Sequence, residues 1–163
     1  MSSYFKNSAI KLILHTDLDG KSPKFIAEYI NKFLLEDKKI SVNAVFVNNN
    51  EMDEVIYEEI LKEINVRVSD SIYIIDISPS SQKTVDLIEE FNCKFGDRVK
   101  LFDHHKTSEF LKDYSWVHHD SSMCATQIFW NYIQEDVACE IPTPEFLKLD
   151  RYVTYVDDWD TWK

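Results

Sequence analysis

Apolar runs that end abruptly in acids or histidines recur along this chain, and they restrict its fold more than any other feature. Residues 10–15 (Ile-Lys-Leu-Ile-Leu-His) lead into Asp17-Leu18-Asp19-Gly20, residues 71–77 carry Tyr73-Ile74-Ile75 up to Asp76, and Val99 to Phe102 runs into Asp103-His104-His105-Lys106. Short apolar runs bounded by polar residues read as strands buried on both faces. Residues 40–47 form another such run, and Tyr114-Ser115-Trp116-Val117 reads as a short fifth strand. Helical spacing fills the intervals. Phe25, Ile26, Tyr29, Ile30, Phe33 and Leu34 recur on one face, with Pro23 in the first turn and Ser22 as its cap. Further helices are expected from Met52 to Ile64, around Val85 to Phe91, over 121–134, and from Glu145 to Asp157; Asn48-Asn49-Asn50 reads as a loop. Strands alternating with helices predict an α/β fold, a three-layer sandwich with a mainly parallel, about five-stranded sheet and helices on both faces. Such sheets bind ligands beyond the carboxyl ends of the strands, where the strand order reverses. The acids and histidines fall at those ends.

The 163 residues suit one domain spanning 1–163. The formal net charge of −11 disfavours a long duplex nucleic acid as partner, since phosphate neutralisation needs lysine and arginine. Phosphates, if handled, should be handled locally through cations, and short or small substrates should be preferred. Met1 to Asn7 lacks the apolar core of a leader, and no run approaches the ~20 apolar residues that span a bilayer, so a cytoplasmic protein without membrane contact is expected. Two glycines exclude a glycine-rich phosphate loop. Cys93, Cys124 and Cys139 show no metal-binding spacing and read as reduced thiols filling the core.

Each acidic segment has an ordinary alternative. Asp17-Leu18-Asp19-Gly20 could be a solvated turn; on an extended chain, however, its two carboxylates lie on similar sides, and Gly20 permits a tight turn. A calcium loop would need a downstream glutamate where Ile26 stands. Asp76 could cap the next helix, yet an acid ending an apolar strand is costly unless paired or bound to metal. Adjacent His104 and His105 could divide the work between metal and substrate, with Asp103 fixing a histidine tautomer from behind. His118-His119-Asp120 reads as a loop or a secondary substrate contact. Among Asp157, Asp158 and Asp160, one should complete a second metal set, with Asp157 and Asp160 on one helical face. Mixed Asp/His donors without cysteine favour two divalent ions, Mn2+ first, with Mg2+ or Co2+ as alternatives. With no serine or cysteine nucleophile arrangement, water attack on phosphorus is the simplest chemistry.

Taken together, His15-Thr16-Asp17-Leu18-Asp19-Gly20, Asp76, Asp103-His104-His105 and the acids at 157–160 resemble, in order and spacing, the four motifs of the DHH-family phosphoesterases. Asp17 to Gly20, Asp103 to Thr107 and Trp159 to Trp162 look most like its nanoRNase B and oligoribonuclease branch. The resemblance implies one ion held by Asp17 and Asp76 with His15. It implies a second held by Asp19, Asp76, His104 and Asp160. His105 would contact the scissile phosphate, with Lys106 and Thr107 beside it. It also implies hydrolysis of short single-stranded oligonucleotides or small nucleotides, with a nucleotide-binding module without turnover, or a pyrophosphatase, as alternatives. Pro23 and Lys24 depart from the small residues usual after the first motif. Family members commonly add a C-terminal substrate domain, which is expected to be absent from this chain.

Overall fold

The computed structural model describes residues 9–34 and 39–162; the Met1 to Asn7 stretch read above lies outside them. Five strands alternate with helices: β1 (Ala9–His15), α1 (Leu18–Asn31), β2 (Ser41–Val47), α2 (Met52–Val66), β3 (Ser71–Ile75), α3 (Gln82–Phe95), β4 (Val99–Asp103), β5 (Val117–His119), α4 (Ala125–Val137) and α5 (Thr143–Asp160). A 3-10 helix over Lys106–Leu111 links β4 to β5. The sheet order is β2-β1-β3-β4-β5, with every pair parallel. The order reverses between β1 and β3, which makes their carboxyl ends the switch point.

Alternation along each strand builds two cores. Ile10, Leu12, Leu14, Tyr73, Ile75 and Phe102 face one side, covered by α1, α4 and α5. Ile13, Ile72, Ile74, Val99 and Leu101 face the other, against α2 and α3. The three layers match the architecture expected from the sequence. Boundaries differ where caps decide them. α1 starts five residues before Pro23, because Asp17 caps it by accepting from the Gly20 amide. Pro23 therefore sits inside the helix, and Ser22 turns its hydroxyl to the Leu18 carbonyl. The fifth strand is Val117–His119 rather than Tyr114–Val117, so His118 and His119 lie in the sheet and not in a loop. Residues 121–124 precede α4, which Cys124 caps through its sulfur. α5 extends through Asp160, one turn beyond its expected end. Cys93 and Cys139 are exposed rather than core filler, and Cys124 alone of the three is buried.

Within the described residues, no helix is long and apolar enough to cross a membrane.

Candidate metal centre

The carboxyl ends of β1, β3 and β4 converge, and the C-terminal turn of α5 reaches the same place. Asp76 is central. It follows β3 directly, and its backbone turns into the left-handed region, φ 64°, a conformation that aspartate tolerates better than most residues. Its amide bonds the Phe102 carbonyl at 3.0 Å, which turns a buried carboxylate across the switch point. Its Oδ2 lies 3.4 Å from His15 Nδ1, and its Oδ1 lies 3.5 Å from His104 Nε2. One oxygen thus faces each neighbouring group.

On the Oδ2 side stand His15, the last residue of β1, and Asp17, the cap of α1, with Nδ1 and Asp17 Oδ2 2.6 Å apart. On the Oδ1 side, His104 Nε2 lies 3.9 Å from Asp19 Oδ2 and 3.5 Å from Asp160 Oδ2. Three overlapping sets have donor atoms within 4.8 Å of one another: His15, Asp17, Asp76; Asp76, His104, His105; and Asp19, His104, Asp160. The structure brings together all six residues expected as metal ligands. It does so differently for Asp17 and Asp19 than an extended chain would, since one caps α1 and the other rides its first turn.

Asp103 is buried under the two histidines. Its Oδ1 accepts from the His104 amide at 2.8 Å, the His105 amide at 3.2 Å and the His105 ring Nδ1 at 2.7 Å. That bond raises His105 above its usual value despite burial. Burial alone would raise Asp103, but the His105 contact outweighs it and holds the carboxyl below its ordinary range. His105 and Thr107 line a cleft of about 260 Å³ with Asp76, Asn49, Met52 and Ser78. Lys106 is exposed and does not line it. His118 stacks flat on Phe102, 4.9 Å between centroids, so it packs rather than faces the cleft.

The acids here cannot all stay charged without a counter-charge. Burial, then the nearby Asp19 and Asp17 carboxylates, push Asp76 up to about 10. Burial, then Asp19, also raises Asp160. Asp17 is the exception: burial opposes its charge, but bonds from Gly20, Asp76 and His15 hold it low. Among the described residues, no lysine or arginine pairs with Asp17, Asp19, Asp76 or Asp160. Asp76 Oδ2 is buried without a hydrogen-bond donor. Cations answer both deficits, since a bound divalent ion inverts the local charge balance, and the Asp/His donor set fits one.

Several contributors carry little local signal. Asp19 accepts from the Ala125 and Thr126 amides at 2.8 and 2.7 Å, so it also caps α4. Asp157 is buried and takes the Cys124 amide at 2.6 Å, while Asp158 is exposed; this separates Asp160 from its neighbours. Asn49 and Ser78 join the cleft from the ends of β2 and β3. The strand-end rule that singled out the acids could have found Asn49.

No family model matches the chain. Oligoribonuclease NrnB of Bacillus subtilis (strain 168) is 28% identical over 158 residues, which cover 93% of this chain and 36% of that protein. The chain therefore spans about a third of that relative's length. The crystal structure of an uncharacterized protein from Helicobacter pylori G27 matches with a TM-score of 0.69 and 21% identity, over 95% of this chain and 44% of that one. That likeness concerns the fold.

Proposed function

We propose that this chain is a DHH-type, metal-dependent phosphoesterase that hydrolyses phosphodiester bonds in short single-stranded oligonucleotides. The observation that carries the reading is Asp76, a buried carboxylate with one oxygen toward each of two Asp/His groups. In this reading His15, Asp17 and Asp76 hold one ion, and Asp19, Asp76, His104 and Asp160 hold the other. Two such ions, most naturally Mn2+ for these donors, supply neutralisation of phosphoryl charge and a water of lowered pKa. The chain's own side chains do the positioning. Asp103 keeps the His105 Nδ1–H in place, which leaves Nε2 to meet a phosphate oxygen. A second proton, on Nε2, would make the ring a donor to that oxygen. Thr107 offers a hydroxyl across the same cleft, and Lys106 is assigned no contact. Residues 1–163 act as one catalytic unit.

The oligonucleotide choice is supported by the oligoribonuclease activity for which the Bacillus relative is named and by the −11 charge, which suits short substrates. The test is release of mononucleotides from a short RNA by the purified chain in Mn2+, with pyrophosphate as comparison substrate. Asp76→Asn and His104→Ala should each cut the rate by more than the roughly 10–100-fold typical of groups that only support a ligand. Full rate in either variant sinks the site assignment, and faster cleavage of pyrophosphate sinks the substrate class.

A further inference from the structure

We propose that the outer face shared by α1 and α5 is a track on which the bases of a single-stranded oligonucleotide stack while its scissile phosphate lies beside Asp76. The position of the phosphate rests on the phosphoesterase reading; the track rests on separate observations. α1 and α5 run antiparallel, since Ser22 Oγ meets the Tyr152 hydroxyl at 2.8 Å while Tyr29, two turns on, bonds Glu145. One turn back from Ser22 stands Leu18, between Asp17 and Asp19. Two turns on from Tyr152 stands Trp159, beside Asp160. The same register that packs these helices brings the end of their outer face to the metal-ligand groups.

That face is apolar, aromatic and open. Tyr155 is 63% exposed and Trp159 73%, with Leu18, Phe25 and Leu147 also exposed. None of them seats α5 on the core, because Leu149, Val153 and Val156 do that from the opposite side. Phe25 and Tyr152 lie 4.8 Å apart between centroids. Two hollows flank them: one of about 510 Å³ between Leu147, Arg151 and Tyr155, and one of about 220 Å³ between Phe25, Tyr29 and Lys148. Arg151 forms no ion pair among the described residues, and Lys148 pairs only with Glu145, at 2.8 Å. Exposed acids lie here too: Asp158 at the end near the ligand groups, Asp150 beside Arg151, and Glu28 on α1, which Lys24 pairs at 2.9 Å. Rings interleaved with cations are the chemistry that grips single strands: rings stack on any base while cations follow the phosphates. In a chain of net charge −11, this face supplies a cationic contact near the site. Arg151 lies about 13 Å along the helix from Asp160, roughly four bases at ~3.4 Å each. A pentanucleotide reaches it, and a dinucleotide does not.

The test is fluorescence anisotropy of a fluorescein-labelled single-stranded pentanucleotide with the full chain in EDTA, where hydrolysis is stopped. Tyr155→Ala and Arg151→Ala, both at the surface, should each weaken binding roughly tenfold. Leu61→Ala, exposed on α2 across the sheet from this face, should retain it. A wild-type chain that does not bind, or variants that bind equally, overturns the proposal. So does a dimer in sedimentation that Tyr155→Ala dissociates without any oligonucleotide binding, which would assign the face to a second copy of the chain. Hydrolysis in Mn2+ is read separately: its absence with binding intact counts against the phosphoesterase reading and leaves the track standing.

Discussion

Asp76 is unfavourable by itself and useful only in company. Its burial among Asp17 and Asp19 raises it to about 10, so in metal-free protein the carboxyl is stabilised by taking up a proton. Asp76→Asn removes that conflict and keeps a residue that tolerates a positive φ. The variant should melt at a higher temperature than wild type in EDTA and gain less than wild type when Mn2+ is added, both read by thermal denaturation. A lower melting point in EDTA would mean that the acid stabilises the metal-free fold. Lys11 is a buried charge of another kind. It points from β1 toward α2 and meets Glu59 Oε2 and Glu63 Oε1, both at 2.8 Å. Burial opposes its charge, but the two glutamates outweigh that and raise it above 10.5. Burial likewise opposes Glu59 and Glu63, and Lys11 outweighs it and lowers both below 4.5. The carboxylates' stabilisation is therefore present above pH 4.5 and fades as pH falls through their lowered folded values. The contribution of Lys11 is present below pH 10.5 and lost as pH rises through its raised value. Lys11→Met takes the buried cation from between the two acids, leaving Glu59 with Lys62 and Glu63 with Ser69, and should cost about 3 kcal/mol, measured by urea unfolding at pH 7. Glu59 falls at helical spacing with Ile56 and Glu63 on the buried side of α2. The spacing could not supply the partner, because Lys11 is 48 residues away.

At the scale of elements, the start of α1 departs furthest from its sequence pattern. Pro23 belongs near a helix start by local preference, yet Asp17 begins the helix earlier. A proline at the sixth position leaves the Asp19 carbonyl without its helical donor. The Thr126 hydroxyl, from α4, donates to that carbonyl at 2.6 Å. Thr126→Val should cost about 1–3 kcal/mol, because it leaves that buried acceptor bare, and calorimetry of the two proteins checks it. Gly20 has a tertiary reason too. A Cβ there would come within 2.5 Å of the His15 carbonyl oxygen and 2.6 Å of its Cβ. Gly20→Ala therefore pushes α1 away from β1, costing about 1–3 kcal/mol and shifting His15 and Asp17. Mn2+ affinity by isothermal titration should fall with stability; unchanged affinity would show that the turn absorbs the displacement. Sequence spacing marked Gly20 as a turn residue, but the close approach depends on how the helix packs back on its strand.

Over the whole molecule, one topological fact gathers the centre. With β1 and β3 adjacent and their connections on opposite faces, the strand ends at 15, 76 and 103 meet although they lie far apart in sequence. α5 then returns antiparallel to α1 and delivers Asp160. Ion binding at a centre assembled from β1, β3, β4, α1 and α5 would be coupled to folding. Raising Mn2+ from zero to about a hundred times its dissociation constant should stabilise the chain by about 2.7 kcal/mol per independent site. A melting temperature that ignores Mn2+ would speak against any bound ion.

The sequence by itself determined the layer architecture, because strand and helix periods are written locally in Ile72 to Ile75 or Ile26 to Ile30. It also marked the acids and histidines at the ends of buried strands as candidates for chemistry, because a buried acid is costly unless it is paired or bound. Tertiary structure decided the division of labour among them. Asp157 and Asp160 share a helical side, and only the placement of the α4 N-terminus commits one to the Cys124 amide and leaves the other near His104. Asp19 likewise became both cap and candidate ligand through amides more than a hundred residues away. Hydrogen bonds and charge pairs act over a few ångströms of space, and sequence distance does not measure that.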